Sequence, residues 1–297
     1  MQVVDPHVHF WDLDTHHYPW LANPGTSFVG DARDLKHNYL PDDLLREAGD
    51  IEVLKVVHVE ANHDPADPVE ETRWLESIAN ADVGKGLPNA IVAAADLSAA
   101  NAPEILTAHA AFRRTRGIRQ ILNVHANPLY DYVGRHYMRE AAWRKHFALL
   151  EQHGLSFDLQ LYPSQMEEAA ALARAHPGIA LVVNHAGMFV DRNGVQGWRD
   201  WRDGLRVLAA CPNVSVKISG LAMFDHEWTV ESLRPYVLET IDAFGASRAM
   251  FASNFPVDRQ FGGYADLWRA YAAIVSDASE SERAALFRSN AERIYRI

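Results

Sequence analysis

Residues 3–9, VVDPHVH, form a short apolar run rich in β-branched side chains, with two histidines near its end. Similar runs recur along the chain, and an amphipathic stretch with helical periodicity follows most of them. The predicted strands are residues 3–9, 53–60, 90–96, 118–124, 156–161, 180–185, 214–219 and 250–253. Eight alternating strands and helices in a chain of 297 residues predict an α/β protein, a (β/α)8 TIM barrel.

The spacing of these runs predicts one domain that covers residues 1–297, because no linker or change in composition divides the chain. The interval between the first two strands is long and rich in Pro, Asn, Gly and aromatic residues. We therefore expect residues 10–52 to form a long loop over the barrel mouth. A doubly wound open sheet is the alternative fold. No glycine-rich phosphate-binding motif follows the first strand, which weakens that alternative.

The composition limits the partners of the protein. There are 28 Lys plus Arg against 39 Asp plus Glu, and the formal net charge of -11 argues against nucleic acid. No apolar run is long enough to span a membrane. Cys211 is the single cysteine and no leader sequence is visible, so we expect a cytoplasmic location. The expected partner is a small-molecule substrate, and a homo-oligomer remains open.

Several predicted strands alternate between apolar and polar side chains, so that each has one face of each kind. His58 and Glu60 share a face in the second strand, Asp158 and Gln160 in the fifth, and Lys217 lies on the polar face of the seventh. The outer face of a barrel strand packs on helices, so we expect these polar side chains to point inward. Polar groups at the carboxyl ends of barrel strands indicate an active site.

Three histidines lie at or near the carboxyl ends of predicted strands. His7 and His9 are two residues apart, so their imidazoles share a face about 6–7 Å apart and both can reach one divalent metal ion. His185 ends the sixth strand, where a ligand or acid–base role is favoured. The alternative is that these are hydrogen-bonded structural histidines. His58 lies deeper in its strand, and we expect it to serve packing.

Four motifs carry a resemblance that spans most of the chain: HVHFWD at 7–12, NHAG at 184–187, VKISGL at 216–221 and MFASNFPVD at 250–258. Together they resemble the sugar-acid lactonase branch of the amidohydrolase superfamily, which includes fuconolactone, rhamnonolactone and pyrone dicarboxylate lactonases. The resemblance implies a distorted barrel of the metal-dependent-hydrolase type. It also implies that His7, His9 and His185 bind either a divalent metal, zinc or manganese, or the substrate carbonyl directly; some members work without a tightly held metal.

Asn254 departs from the family pattern, which usually has Asp at this position as metal ligand and as the base that activates water. An amide cannot take up a proton near neutral pH and is a poor zinc ligand. We therefore expect metal affinity to be low or absent, and the base to lie elsewhere. Glu60 is the preferred candidate, and Asp258 and Asp12 are weaker ones.

Glu60 has a structural alternative, which is to bridge His7 or Lys217. Arg119 and Lys217 resemble the pocket cations of the family, which would bind a substrate carboxylate or polarise a lactone carbonyl. Arg119 could instead pair with Asp96.

Aromatic residues near strand ends suit a sugar or other ring substrate, and we expect Trp11, Trp20 and Tyr162 to bind it, although loop packing is the alternative role. The sequence contains no GxSxG motif, which disfavours a covalent serine mechanism.

The predicted activity is hydrolysis of a sugar-acid or dicarboxylic lactone by an activated water. Glu60, His185, Lys217 and Asn254 are the predicted catalytic residues. Two other functions remain open: a lactone isomerase or decarboxylase on the same barrel, and a non-catalytic ligand-binding protein that lost its activity with Asn254.

Overall fold

The computed structural model describes residues 1–297, and eight parallel strands organise it. The strands are β1 (Gln2–Val8), β2 (Thr26–Ser27), β3 (Gly30–Asp31), β4 (Glu52–Val59), β5 (Ala90–Ala94), β6 (Thr115–Ile121), β7 (Ser156–Gln160), β8 (Leu181–Val183), β9 (Val214–Ile218) and β10 (Ala249–Phe251). β2 and β3 form a small antiparallel hairpin, and the other eight strands form one sheet in chain order.

The sheet closes between its first and last strands. The amide of His9 donates to the carbonyl of Phe255 (2.8 Å), and the amide of Asn254 donates to the carbonyl of His7 (2.9 Å). A parallel bridge joins Val8 to Phe255. The predicted (β/α)8 barrel is therefore confirmed.

Helices surround the barrel and cross from each strand to the next. They are α1 (Pro19–Ala22), α2 (Pro41–Ala48), α3 (Glu70–Asn80), α4 (Ala102–Ala110), α5 (Ala141–Phe147), α6 (Leu149–Gln152), α7 (Met166–Ala175), α8 (Val195–Ala209), α9 (Val230–Phe244), α10 (Tyr264–Ile274), α11 (Glu280–Ala284) and α12 (Asn290–Tyr295). The apolar faces of the longer helices pack on the outer side of the strands in one large core. None of these helices combines the length and the apolar character that crossing a bilayer requires.

Residues 10–52 connect β1 to β4 and carry α1, the β2–β3 hairpin and α2. Trp11 and Tyr39 exchange backbone hydrogen bonds, each 3.0 Å long, which ties the start of the segment to its later part. The Gln260 side chain accepts a hydrogen bond from the amide of Asp31 (2.8 Å), which fastens the hairpin to the region that follows β10.

A second, smaller core fills the inside of the barrel. Its members come from strands around the barrel and from the C-terminal helix α12: Val4, Val57, Val59, Ala90, Val92, Val182, Met250, Ala291 and Tyr295. Since Val57 and Val59 point inward, the prediction that the polar face of this strand points inward is wrong for β4. His58 instead packs on Phe10 outside the barrel, with 6.1 Å between ring centroids, and its Nδ1 accepts the Phe10 amide.

Tyr295 inserts from α12 into the inner core, where it is fully buried and its hydroxyl donates to Asp158 (2.9 Å). We expect Tyr295→Ala to lower the free energy of unfolding by about 3–5 kcal/mol, because the change leaves a cavity and removes a buried hydrogen bond. Urea denaturation followed by circular dichroism measures this. Leu129→Ala, at a side chain that is 59% exposed, is the control and should shift stability by less than about 0.5 kcal/mol. Equal stability of the two variants would contradict the inner-core role.

Candidate active site

A cavity of about 330 Å³ opens at the carboxyl ends of the strands. Its floor is formed by side chains that end or follow barrel strands: His9, Arg119, Ile121, Gln160, His185 and Asn254. Its walls include Trp20, Thr26, Ser27 and Val29 from the segment between β1 and β4. In (β/α)8 barrels this end carries the active site, so the cavity is the candidate site.

His9 and His185 both reach the cavity, and both are held through Nδ1. His9 Nδ1 lies 2.7 Å from the carbonyl oxygen of Val59, which can only accept. His185 Nδ1 lies 3.0 Å from the Ser219 hydroxyl. Burial lowers the pKa of both imidazoles well below the ordinary value of 6.5, and the nearby Arg119 guanidinium lowers them further. Both rings are therefore neutral at pH 7. His9 carries its proton on Nδ1, so its Nε2 is the acceptor and has the Asn254 side chain beside it.

The backbone after β8 is shaped to present His185. His185 and Ala186 both have positive φ (55° and 48°), so the chain turns sharply at the strand end. Gly220 approaches this turn closely: a Cβ at Gly220 would lie 2.4 Å from His185 Nδ1, and its own φ is +61°. The glycine of the VKISGL motif therefore provides the room for the His185 ring.

His7 lies beside these two rings without lining the cavity. Its ring centroid is 5.0 Å from that of His9 and 4.6 Å from that of His185. Its side chain is fully buried, and Nε2 has no hydrogen-bond partner in the protein. The three histidines that the sequence singles out are thus adjacent, with two of them in the cavity and one behind.

Arg119 is the cation of the cavity. Its Nε donates to Glu60 Oε1 (2.6 Å), Nη1 to Gln160 Oε1 (2.8 Å) and Nη2 to the Glu60 carbonyl. A guanidinium has five N–H groups, so one N–H on each terminal nitrogen is left for a ligand in the cavity. The partner of Arg119 is Glu60, and not the alternative partner Asp96.

Glu60 lies just beyond β4 and is buried, but it does not line the cavity. Oε1 accepts from Arg119, and Oε2 accepts from the backbone amide of Asn62 (2.8 Å). Burial raises the pKa of this carboxyl, and the positive charge of Arg119 opposes that rise. Glu60 therefore bridges neither His7 nor Lys217. Its position suits the orientation of Arg119 better than contact with a substrate water.

Asn254 lines the cavity and is fixed from behind by Asp258. Its backbone is left-handed (φ 63°), and its Nδ2 donates to Asp258 Oδ1 (2.7 Å). Burial raises the pKa of Asp258 to about 8, and its Oδ2 has no partner. Because Asp258 holds the Asn254 amide and does not line the cavity, it serves to position Asn254. Asp12, the other alternative base, is also absent from the cavity wall.

Lys217, a predicted cation of the pocket, lies below the cavity. It is fully buried, and its Nζ pairs with Asp158 Oδ2 at 2.6 Å. Burial lowers the pKa of Lys217, and Asp158 opposes that change. This geometry contradicts a direct contact between Lys217 and a substrate carbonyl.

Two of the three predicted aromatic contacts also lie away from the cavity wall. Trp11 is buried in an aromatic cluster, where its indole N–H donates to the carbonyl of His37 (2.7 Å). The Tyr162 hydroxyl donates to the carbonyl of Tyr130 (2.8 Å). Trp20 does line the cavity, and its indole N–H donates to the carbonyl of Ala61 (2.8 Å). Trp11 therefore packs within the segment between β1 and β4, while Trp20 is available to a ligand.

Several polar residues of the cavity wall carry no local signal in the sequence. Asn62 and Tyr132 come from βα loops, Thr26 and Ser27 from the β2–β3 hairpin, and Gln260 from the turn after β10. No motif links these positions, because loops far apart in the chain bring them together. Gln160 was the exception, since strand alternation already placed it on the polar face of β7.

The three adjacent histidines are potential donors to a metal ion. Zinc prefers a tetrahedral set of His, Cys and carboxylate donors. Here an amide stands at Asn254, and the Lys217 ammonium lies 3.5 Å from His7 Nδ1. No group of three or more His, Cys, Asp and Glu side chains is arranged to hold a metal ion. As these side chains are placed, they therefore do not form a metal centre.

Comparisons with known proteins agree with this fold. The chain matches the amidohydrolase family over residues 4–297. An uncharacterised protein from Sinorhizobium fredii is 43% identical over 99% of this chain and 98% of its own. An L-fucono-1,5-lactonase from Burkholderia multivorans is 30% identical over 99% of this chain and 96% of its own.

A solved amidohydrolase from Burkholderia multivorans, with bound zinc, superposes with a TM-score of 0.81. It is 26% identical, and the match covers all of both chains. The fold and the histidine-lined cavity thus define a (β/α)8-barrel enzyme. The chain belongs to the amidohydrolase family and is a hydrolase.

Proposed function

We propose that this protein opens a sugar-acid lactone by attack of water on the ring carbonyl. The observation that carries the proposal is the cavity itself: two neutral imidazoles and a guanidinium with unused N–H groups meet at the carboxyl ends of the strands. Neutral imidazoles accept protons near pH 7, and a fixed guanidinium stabilises an oxyanion. The fuconolactonase relative supports a cyclic ester as substrate.

In the proposed mechanism, His185 is the base. Its Nδ1 is held at Ser219, and its Nε2 takes a proton from water as the water oxygen bonds to the carbonyl carbon. The free N–H groups of Arg119 receive the oxyanion that forms on the carbonyl oxygen. Collapse of this intermediate breaks the ring C–O bond, and the proton on His185 passes to the alkoxide. The hydroxy acid then ionises and releases one proton. Because the side chains as placed do not form a metal centre, no step is assigned to a metal ion.

The charges in and below the cavity favour a neutral polyhydroxy lactone over a dicarboxylic one. Arg119 is the one ordinarily charged residue of the wall, and Glu60 neutralises it. Lys217 is likewise neutralised by Asp158. The remaining polar groups of the wall are amides and hydroxyls that can bind substrate hydroxyls: Asn23, Thr26, Ser27, Asn62, Tyr132, Gln160, Asn254 and Gln260.

A panel of aldonolactones and dicarboxylic lactones tests the proposal, with ring opening followed by proton release in weak buffer. We expect turnover of at least one six-membered aldonolactone and a lower kcat/KM for dicarboxylic lactones. Ligand binding without turnover across the whole panel would instead support a non-catalytic protein. Product formed without release of acid would support an isomerase or a decarboxylase.

The variant Glu60→Gln shows whether Glu60 positions Arg119 or acts as the general base. If Glu60 orients Arg119, the Gln carbonyl still accepts from Arg119, and we expect kcat to fall only about tenfold with a rise in KM. Loss of a general base would lower kcat about 10²–10⁴-fold. Steady-state kinetics of Glu60→Gln beside the control Glu104→Gln, a helix residue remote from the cavity, measures the difference. A fall in kcat of about 10⁴-fold with an unchanged KM would instead assign the role of general base to Glu60.

The pH profile should reflect the lowered pKa of His185. A base acts in its neutral form, and a folded-state pKa well below 6.5 keeps the imidazole neutral as the pH falls through that value. We therefore expect kcat/KM to stay level between pH 7.5 and 6.5 and to decline only at more acidic pH. A half-loss of kcat/KM at pH 6.5 would indicate an ordinary histidine and contradict the assignment.

A further inference from the structure

Lys217 lies beneath the three histidines in a fully buried network. Its Nζ is 2.6 Å from Asp158 Oδ2, and the Tyr295 hydroxyl and the Asn184 amide also donate to that carboxylate. The ammonium lies 4.9 Å from the centroid of the Tyr295 ring. These contacts leave Lys217 one further neighbour that can accept a hydrogen bond, which is His7 Nδ1 at 3.5 Å.

The contact between Lys217 and His7 decides where the imidazole proton lies. An ammonium has three N–H donors and no acceptor, so the nitrogen that faces it must accept. In a neutral imidazole the proton then lies on the other nitrogen, here Nε2. His9 has the opposite arrangement, because its Nδ1 must donate to the carbonyl of Val59. The adjacent rings of His7 and His9 therefore carry their protons on different nitrogens.

We propose that Lys217 is a positioning residue that holds His7 in the Nε2–H tautomer, so that His7 offers a hydrogen-bond donor and not a metal-binding lone pair. The Nε2 atom is buried and has no partner in the protein. The centroid of the His7 ring lies 4.6 Å from that of His185 and 5.0 Å from that of His9. A donor in that place is satisfied by a buried water. The tautomer therefore does not rest on the proposed lactone hydrolysis.

The tautomer also disfavours a metal ion at this cluster. Zinc is bound by the lone pair of a neutral imidazole nitrogen. With Nδ1 turned to an ammonium and Nε2 protonated, His7 has no lone pair to offer unless Lys217 is displaced. This effect of Lys217 on His7 does not depend on the amide at position 254.

Nitrogen-15 NMR of histidine-labelled protein tests the proposal without any assay of activity. The chemical shifts of Nδ1 and Nε2 show which nitrogen is protonated, and loss of the signal in His7→Gln assigns His7. We expect His7 to be protonated on Nε2 and His9 on Nδ1 in the wild-type protein. A wild-type His7 protonated on Nδ1 would overturn the proposal, whatever the enzyme catalyses.

Zinc titration of a charge-matched variant provides the second test. Lys217→Met combined with Asp158→Asn removes the ammonium together with its counter-charge, and the control is Lys85→Met with Asp42→Asn, an exposed ion pair. We expect calorimetry to show zinc affinity higher in the first variant and unchanged in the control, because the His7 lone pair is released. The expected gain is about 10–100-fold, the size of effect that groups around metal ligands have on affinity. Zinc affinity unchanged in a folded first variant would overturn the proposal. If that variant does not fold, the wild-type spectrum alone decides.

Discussion

Replacing His185 with Asn is expected to lower kcat for lactone opening by about 10²–10⁴-fold, because the variant keeps a polar side chain but has no group that takes up a proton. His185 is the histidine of the cavity whose Nδ1 is held at Ser219 while its ring faces the substrate space. KM should change much less than kcat, since binding relies on the amides and hydroxyls of the wall. Stopped-flow or steady-state proton-release assays measure both parameters.

The matched control is His17→Asn, at an exposed histidine in the segment between β1 and β4. This change should leave kcat and KM unaltered. His9→Asn provides an internal comparison, because His9 also lines the cavity but is assigned no proton transfer. A wild-type kcat in His185→Asn, or a larger loss in His9→Asn, would remove His185 as the base.

Arg119→Met is expected to reduce kcat/KM by about 10²–10³-fold through loss of the oxyanion partner, or about 2.7–4 kcal/mol of transition-state stabilisation. The variant also leaves Glu60 buried without its counter-charge. For that reason Arg119→Met combined with Glu60→Gln is the better variant, since it removes both charges. Its kcat/KM should remain as low as that of Arg119→Met alone, while its thermal stability recovers.

Arg114→Met with Glu76→Gln removes a different ion pair, which lies outside the cavity, and serves as the control. Kinetics of the four proteins, together with their melting curves, separate catalysis from folding. Recovery of kcat/KM in the double variant at Arg119 would show that the loss in the single variant came from the unpaired Glu60, and the oxyanion assignment would be wrong.

Much of the fold could be predicted from the sequence because strands and helices leave local patterns. Alternating side chains in runs such as 214–219 correctly placed Lys217 inside the barrel, where it meets Asp158. The same reasoning was wrong for His58, because the inner core near β4 is filled by Val57 and Val59. Alternation defines two faces of a strand, and the neighbouring elements decide which face is buried inside the barrel.

The chemistry of individual site residues was harder to predict than their location. Glu60 and Arg119 are 59 residues apart, as are Asp158 and Lys217, and no local pattern shows that each pair meets. Pairing changes their roles: Glu60 is held by Arg119, and Lys217 is neutralised below the cavity. The adjacency of His7, His9 and His185 followed from strand ends, but their tautomers depend on the partners Val59, Ser219 and Lys217.

The most direct test of lactone hydrolysis is turnover of an aldonolactone in water enriched in oxygen-18, followed by mass spectrometry of the product. Attack of water on the ring carbonyl predicts one heavy oxygen in the carboxylate of the ring-opened acid, with none in the hydroxyl that was the ring oxygen. Heavy oxygen in that hydroxyl, or an enzyme-dependent product without any, would contradict hydrolysis by attack on the carbonyl.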